Sequence, residues 1–345
     1  MSEPSVVMDA YLAESRTLVL DEIRRIIPRT RRPGHTLYDM MLDYPLREAK
    51  ALRPALTIAS CRALGGNLES VLRTAAALEL YHNAFLIHDD IEDGSHLRRG
   101  KPTLHKTHGV PIAVNVGDAM LALSLQPLLD NIAVLGLGKS LRVLQLVARM
   151  ARESAEGQAT ELEWIRDARW DLADRDYIRM VYQKTTWYTF LTPVMIGAIA
   201  AEISPRQAWQ LQRFATLLGV AFQIMDDVLN LDADEGAYGK EIGGDLEEGK
   251  RTLILLHALR HATPRERETA VRALERPRAE KTSADITALL ALVHARDSLG
   301  FARKAAIDRA ERAAAVLTGA GSWMPESTHR AFLTELTRYV IRRER

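Results

Sequence analysis

The chain has 345 residues, with 46 basic against 45 acidic side chains and a net charge of +1. That balance excludes the polycationic surface that binds nucleic acid in bulk, and a single cysteine, Cys61, excludes an intramolecular disulfide or a cysteine zinc cluster and fits a reducing compartment. A hydrophobic share of 47% supplies a large core, while few aromatics (6%) and an abundance of Ala, Leu, Arg and Glu favour helix. The opening Met-Ser-Glu-Pro lacks a basic and apolar leader, and apolar windows such as 189–201 are too short to span a bilayer. A cytoplasmic protein with no transmembrane segment is expected.

In chain order, residues 6–27 carry apolar side chains at helical spacing up to Pro28. A Pro- and Arg-rich loop, 28–35, and a short helix over 37–42 follow. Arg47, Lys50 and Arg53 lie just ahead of Pro54, which fits the first turn of a helix that stops at Gly65-Gly66. Cations before a helix N-terminus make an anion pocket plausible, although a solvated basic loop has the same composition. Cys61 lies in this apolar helix and reads as core.

Asn67 suits the cap of the next helix, whose end is the densest chemistry in the chain: Asp89, Asp90, Glu92 and Asp93, then Arg98, Arg99 and Lys101. On a helix Asp89 and Asp93 stand one turn apart on one face, and His82, Phe85 and Leu86 continue that stripe backwards. Acids packed at the end of an apolar helix repel one another unless a cation sits among them. Mg²⁺ suits, because it takes carboxylate oxygens, keeps waters and reaches substrate phosphates. Arg, unlike Lys, grips phosphate through two parallel hydrogen bonds.

Apolar helices are expected over 111–135, containing Gly117-Asp118-Ala119, over 138–164, containing Gly157 and Glu161, and over 174–201, with Lys184, Thr185 and Thr186 in the middle. Ser204-Pro205 starts another that reaches Gln223, Asp226, Asp227 and Asn230. A helix C-terminus disfavours anions, so two acidic ends in one chain point to shared cations. Behind the second lies a glycine-rich loop with Lys240 and Lys250, whose spacing is not that of a Walker A loop. The remainder reads as helix and ends in Arg342 and Arg343. Strand-like alternation is missing, so the expected fold is all-α, a single domain over 1–345 with helices around a deep cavity.

Two aspartate-rich helix ends, the segment Arg98-Arg99-Gly100-Lys101-Pro102-Thr103 and the loop running from Gly239-Lys240 through Gly243-Gly244-Asp245-Leu246 to Gly249-Lys250-Arg251-Thr252-Leu253 together resemble the trans-isoprenyl diphosphate synthases. The resemblance runs in the right order from about Arg47 to the C-terminus. It implies head-to-tail condensation of isopentenyl diphosphate with an allylic diphosphate by a homodimer that uses Mg²⁺. Carried over by position, Asp89, Asp90 and Asp93 form the first metal site, and Asp226 and Asp227 the second. Arg98, Lys184, Thr185, Gln223, Lys240 and Lys250 would grip the allylic diphosphate. Lys50, Arg53, His82 and Arg99, helped by Arg342 and Arg343, would hold isopentenyl diphosphate. Asn230 stands where the second motif carries its third Asp, Ala49 and Ala51 replace residues of the first basic motif, and Ile254 replaces a Pro.

Product length in this family depends on the residues four and five before the first Asp, here Phe85 and Ala84. An aromatic closes the floor, and a small neighbour leaves more room than two aromatics. A mid-length product, geranylgeranyl diphosphate ahead of farnesyl diphosphate, is expected unless Met120 or Leu123 sets the floor. The rival readings are a longer polyprenyl synthase, a class I terpene cyclase, which lacks the isopentenyl pocket, and a non-catalytic partner of a heteromeric synthase, which would have lost its aspartates.

Overall fold

The computed structural model describes residues 3–29, 36–232, 243–320 and 323–342. The chain opens with α1 (Glu3–Ile26), α2 (Leu37–Leu46), α3 (Leu52–Ala63) and α4 (Glu69–Glu92). Asn67 does cap α4, its Oδ1 accepting the Ser70 N–H at 2.9 Å. Two-residue strands, β1 (Leu97–Arg98) and β2 (Lys101–Pro102), pair antiparallel with Leu97 opposite Pro102. Then come α5 (Leu104–His108), α6 (Val110–Leu123), α7 (Leu125–Asp130), α8 (Ile132–Arg166), α9 (Asp174–Val181), a π-helix (Tyr182–Leu191), α10 (Thr192–Ala200) and α11 (Pro205–Asp232). The last part holds α12 (Gly244–Glu248), α13 (Leu253–His261), α14 (Pro264–Leu274), α15 (Ser283–Ala295), α16 (Ser298–Gly319) and α17 (Thr328–Arg342).

Three local departures from the sequence expectation have physical causes. The helix expected over 111–135 is divided: the Ser124 hydroxyl donates to the Leu121 carbonyl at 2.7 Å, and Pro127 brings no N–H of its own. The gap expected between the helices ending at 135 and starting at 138 is met as a sharp break at Gly136, which sits at φ 75°, ψ 164° inside α8. The helix expected over 174–201 widens into the π-helix through its middle, a form seen mostly at functional positions. The Arg98 turn is a minimal hairpin because Arg99 and Gly100 both take positive φ, 54° and 72°.

The helices gather into two compact units. The first is drawn from Met1–Met150, Tyr188–Arg213 and Val316–Leu336. At its heart α3 and α10 pack backbone against backbone: a Cβ on Gly197 would lie 2.5 Å from the Cys61 nitrogen. Beside them α4 buries Val71, Ala75, Ala76, Leu80, Ala84 and Ile87, more than one face, as a helix inside a core must. The second unit is drawn from Ala151–Trp187, Phe214–Ala315 and Thr337–Arg345. Its core includes Phe214, Leu218, Ile224 and Val228 of α11 with Tyr177, Leu246, Ile254 and Val293. Thr263 with Glu266 and Thr282 with Asp285 form capping boxes that start α14 and α15.

Where no membrane-length segment was expected, two helical stretches reach the length and apolarity of one. Pro205–Asp232 is 72% buried and serves as a core helix. Val110–Asp130 is 39% buried and leaves much of its apolar surface open.

Candidate active site

In the first unit the acidic end of α4 divides its carboxylates between two environments. Asp90 is fully buried, whereas Asp89 and Asp93, one turn apart, are part-exposed. Both Asp90 oxygens are engaged. Arg98 Nε donates to Oδ1 at 2.8 Å, joined there by its Nη2, and the Tyr44 hydroxyl donates to Oδ2 at 2.6 Å. Arg98 reaches Asp89 only at 3.4 Å. Burial works against the Arg98 charge, but Asp90 more than offsets it and holds the guanidinium above its ordinary pKa. Burial and then Asp90 push the Tyr44 phenol well up, so it stays a donor. Asp90, expected as a metal ligand, therefore anchors Arg98. Arg98, expected on the diphosphate, is itself only 7% exposed.

Arg47, read in the sequence as part of a basic loop, is buried and bolts down the hairpin. It donates to the carbonyls of Arg98 at 2.9 Å and Pro102 at 2.8 Å, pairs with Asp43 at 2.7 Å, and lies 4.3 Å over the Tyr44 ring. Tyr44 did not stand out in the sequence, and Arg47, expected with Lys50 and Arg53 ahead of the helix as an anion pocket, turns inward instead, because a charge-rich loop gives no sign of which cation does so.

Beside the hairpin, Arg53, His82 and Arg99 converge. Arg53 Nη2 donates to Thr189 Oγ1 at 2.8 Å, and its guanidinium stacks 4.4 Å over the Tyr188 ring. Arg99 Nη1 donates to the Tyr44 carbonyl at 2.9 Å. Burial, followed by Arg53, Arg99 and Arg98, drives the His82 pKa well down and keeps the ring neutral. Burial also lowers Arg99 to about 10, with Glu79 opposing and Arg98 and Arg53 adding to the drop. Two polar atoms here, Arg53 Nε and His82 Nδ1, are buried with no partner. Buried polar atoms are normally satisfied, so the cluster keeps hydrogen-bonding capacity unused beside two guanidinium groups. Lys50 lies exposed just ahead of α3, where Ala51 takes a left-handed φ of 50°.

Further back on α4, Phe85 is part-exposed and meets Tyr81 edge-on at 4.6 Å and Tyr188 at 5.9 Å. Ala84, expected to leave room beside it, is wholly buried. Met120 is buried as well.

In the second unit the end of α11 repeats the division. Asp226 is part-exposed, and Asp227 is 6% exposed. The Tyr177 hydroxyl donates to Asp227 Oδ2 at 2.6 Å, and Gln223 Nε2 donates to Oδ1 at 2.8 Å. Thr185 in turn donates to Gln223 Oε1 at 2.8 Å. Burial and then Asp245 push the Asp227 pKa well up. Lys184 is paired with the buried Glu161. Lys250 lies 2.6 Å from Glu248 and 3.8 Å from Asp245, within its own loop. Asn230 is likewise used internally: its Oδ1 accepts the Asp245 N–H at 3.1 Å and its carbonyl accepts the Gly243 N–H at 2.8 Å. Lys240 and Arg343 lie outside the described residues; Arg342 ends α17.

Among the described residues no three His, Cys, Asp or Glu side chains close into a metal cage. The donor set still fits Mg²⁺. It is all carboxylate oxygen, and Mg²⁺ is held by one or two carboxylates plus waters and substrate phosphates.

A family model described as polyprenyl synthetase matches residues 35–293. The octaprenyl diphosphate synthase of Escherichia coli is 32% identical over 296 residues, 86% of each chain. Among solved structures, the geranylgeranyl pyrophosphate synthetase of Pyrococcus horikoshii superposes with a TM-score of 0.86 at 29% identity, covering 97% of this chain and 98% of that one. The geranylgeranyl pyrophosphate synthase of Corynebacterium glutamicum, complexed with isoprenyl diphosphate and magnesium, gives 0.85 at 27% identity over 97% and 99%. Two acidic helix ends and a cationic pocket with orphaned donors thus lie on a fold shared along the whole chain, which belongs to the polyprenyl synthetase family and is a prenyltransferase of isoprenoid biosynthesis, a trans-prenyl diphosphate synthase.

Proposed function

We propose that this enzyme condenses isopentenyl diphosphate head to tail with an allylic diphosphate to give geranylgeranyl diphosphate. The observation that carries the reading is the pocket of Arg53, His82 and Arg99, whose buried Arg53 Nε and His82 Nδ1 lack partners. A diphosphate supplies the acceptor that Arg53 Nε lacks, and with the ring proton on Nδ1 also the one for His82; isopentenyl diphosphate is the pocket's occupant, with Lys50 at the rim. Asp89 and Asp93 would hold Mg²⁺ in the first unit and Asp226 would hold it in the second; Asp90 and Asp227 support them from within. When bound, the metal neutralises the diphosphate as the allylic C–O bond breaks. Lys184, Thr185, Gln223, Lys240 and Lys250 add donors to the same leaving group, and such fixed charges supply most of the rate. The rings of Phe85, Tyr81 and Tyr188 keep water from the allylic cation. The departing diphosphate takes the final proton, so no side-chain base is needed. The aromatic cluster at Phe85 favours geranylgeranyl over longer products; the octaprenyl relative keeps a longer chain as the second reading.

We further infer that residues 1–345 work as one catalytic domain, since the family match runs through both units. The enzyme is a cytoplasmic homodimer in this reading. Its apolar face on α6 to α8, with Ile112, Leu125, Leu129, Leu137 and Leu141 exposed by 43–60%, is the surface a second copy covers. The test is turnover of the purified chain with Mg²⁺, isopentenyl diphosphate and, separately, dimethylallyl, geranyl and farnesyl diphosphates, read by mass spectrometry. Geranylgeranyl diphosphate is expected from each, and Asp89→Ala with Asp93→Ala should lower kcat/KM roughly a thousandfold. Cyclic hydrocarbons from an allylic substrate alone would mark a cyclase, and no turnover a partner subunit.

A further inference from the structure

We propose that Tyr44 and Tyr177 are matched positioning residues for the metal, each pinning the inner carboxylate of an acidic pair so that its outer neighbour presents its oxygens to the ion. The proposal rests on the reading that Asp89, Asp93 and Asp226 bind Mg²⁺. The wiring is the same in the two units. Neighbouring residues on a helix point about 100° apart, so in each pair one aspartate turns inward: Asp90 is 0% exposed and Asp227 is 6%. Each inner carboxylate accepts at Oδ2 from a tyrosine hydroxyl at 2.6 Å. Each accepts at Oδ1 from a nitrogen donor at 2.8 Å, Arg98 Nε in one case and Gln223 Nε2 in the other. Both tyrosines are 1% exposed and stand on short helices, α2 and α9, separate from the acidic ones.

A phenol that only filled the core would need no carboxylate, and a carboxylate that only ended a helix would not be buried. Here each phenol hydroxyl donates at 2.6 Å to an inner carboxyl oxygen that is closed off from water, so neither partner has a competing solvent hydrogen bond. With both oxygens held, the inner side chain cannot rotate, and the roll of the helix end that carries the outer aspartate is set with it. Mg²⁺ demands near-ideal octahedral geometry, and partners that orient metal ligands are worth about 10- to 100-fold in affinity. Tyr44 does more than Tyr177: its hydroxyl also accepts the Leu104 N–H at 3.1 Å and its carbonyl accepts from Arg99. Only the first of these would change on loss of the hydroxyl.

The test is Tyr44→Phe and Tyr177→Phe in the full-length chain, which keep the ring and delete one oxygen. Mn²⁺ binding in the presence of inorganic diphosphate is counted by electron paramagnetic resonance, beside the KM for isopentenyl diphosphate and the melting temperature. Mn²⁺ affinity should fall about 10- to 100-fold in each variant, while that KM stays within about twofold. Unchanged Mn²⁺ affinity, or a loss of Mn²⁺ binding that only tracks a collapse in melting temperature, would overturn the proposal. Should one variant not fold, the other decides, because the two sit in different units. Asp89→Ala and Asp226→Ala separate the layers. If they leave Mn²⁺ bound, the metal reading itself fails; if they release it and the Phe variants do not, only the positioning role fails.

Discussion

Phe85 and Tyr81 stand one turn apart on α4, edge to face at 4.6 Å, with Tyr188 at 5.9 Å from Phe85. In the proposed function, a chain growing from a diphosphate at Asp89 would meet Phe85 first and Tyr81 behind it. Phe85→Ala should shift the product by at least one isoprene unit, read by mass spectrometry, and adding Tyr81→Ala should extend it again. An unchanged distribution would move the stop to Met120 or Leu123. That Phe85 shares a face with Asp89 was legible because a four-residue step on a helix returns to the same face. The full burial of Ala84 was not: its place one residue further back turns it into the interior, and how deep that side lies depends on packing the local pattern does not hold. The inward turn of Asp90 was hidden for the same reason, since adjacent aspartates look alike until a buried tyrosine selects one.

The π-helix shows how an element is set by its neighbours. A Cβ on Gly157 of α8 would lie 2.3 Å from the Lys184 backbone nitrogen and 2.7 Å from its Cα, and a Cβ on Gly219 of α11 would lie 2.6 Å from Thr186 Cγ2. The contact at Gly157 is to backbone, so nothing flexible can yield. Gly157→Ala should cost about 1–3 kcal/mol of stability, seen as a lower melting temperature. Because Lys184 and Thr185 ride on the displaced backbone, kcat should fall by about 100-fold for a shift near 1 Å. A variant that melts early yet turns over normally would mean that the segment's placement is not what Lys184 needs. The helix itself was legible from 174 to 201, but periodicity near 3.6 does not distinguish an extra residue per turn. The hairpin escaped notice as well, because it is made by the positive φ of Arg99 and by Arg47 holding its carbonyls, not by strand-forming side chains.

On the scale of the whole molecule, the order of motifs and the all-α class followed from composition and spacing, since helix formers and two repeated acidic ends leave few alternatives. The exposed apolar face was harder to anticipate. Leu137 is 60% exposed and Leu141 48%, both on α8, and one long helix reads the same whether a face meets its own core or a second chain. If that face joins two copies, Leu137→Glu should halve the native mass by light scattering while each copy keeps its fold. A mass equal to one chain already in the parent protein would refute the pairing.

Cys61 gives this enzyme a reporter of its own opening. The thiol is fully buried in α3, donates to the Asn67 carbonyl at 3.4 Å, and burial pushes its pKa up to about 11. A thiolate is the reactive form, so the folded chain should ignore iodoacetamide. Labelling can then proceed only through molecules in which the α3–α10 packing has come apart, and its rate reads the free energy of that opening under native conditions. No probe has to be introduced, because the chain contains one cysteine. Substrate and metal that favour the closed form should slow the labelling in proportion to their binding, which would turn a residue without a part in the chemistry into a gauge of occupancy.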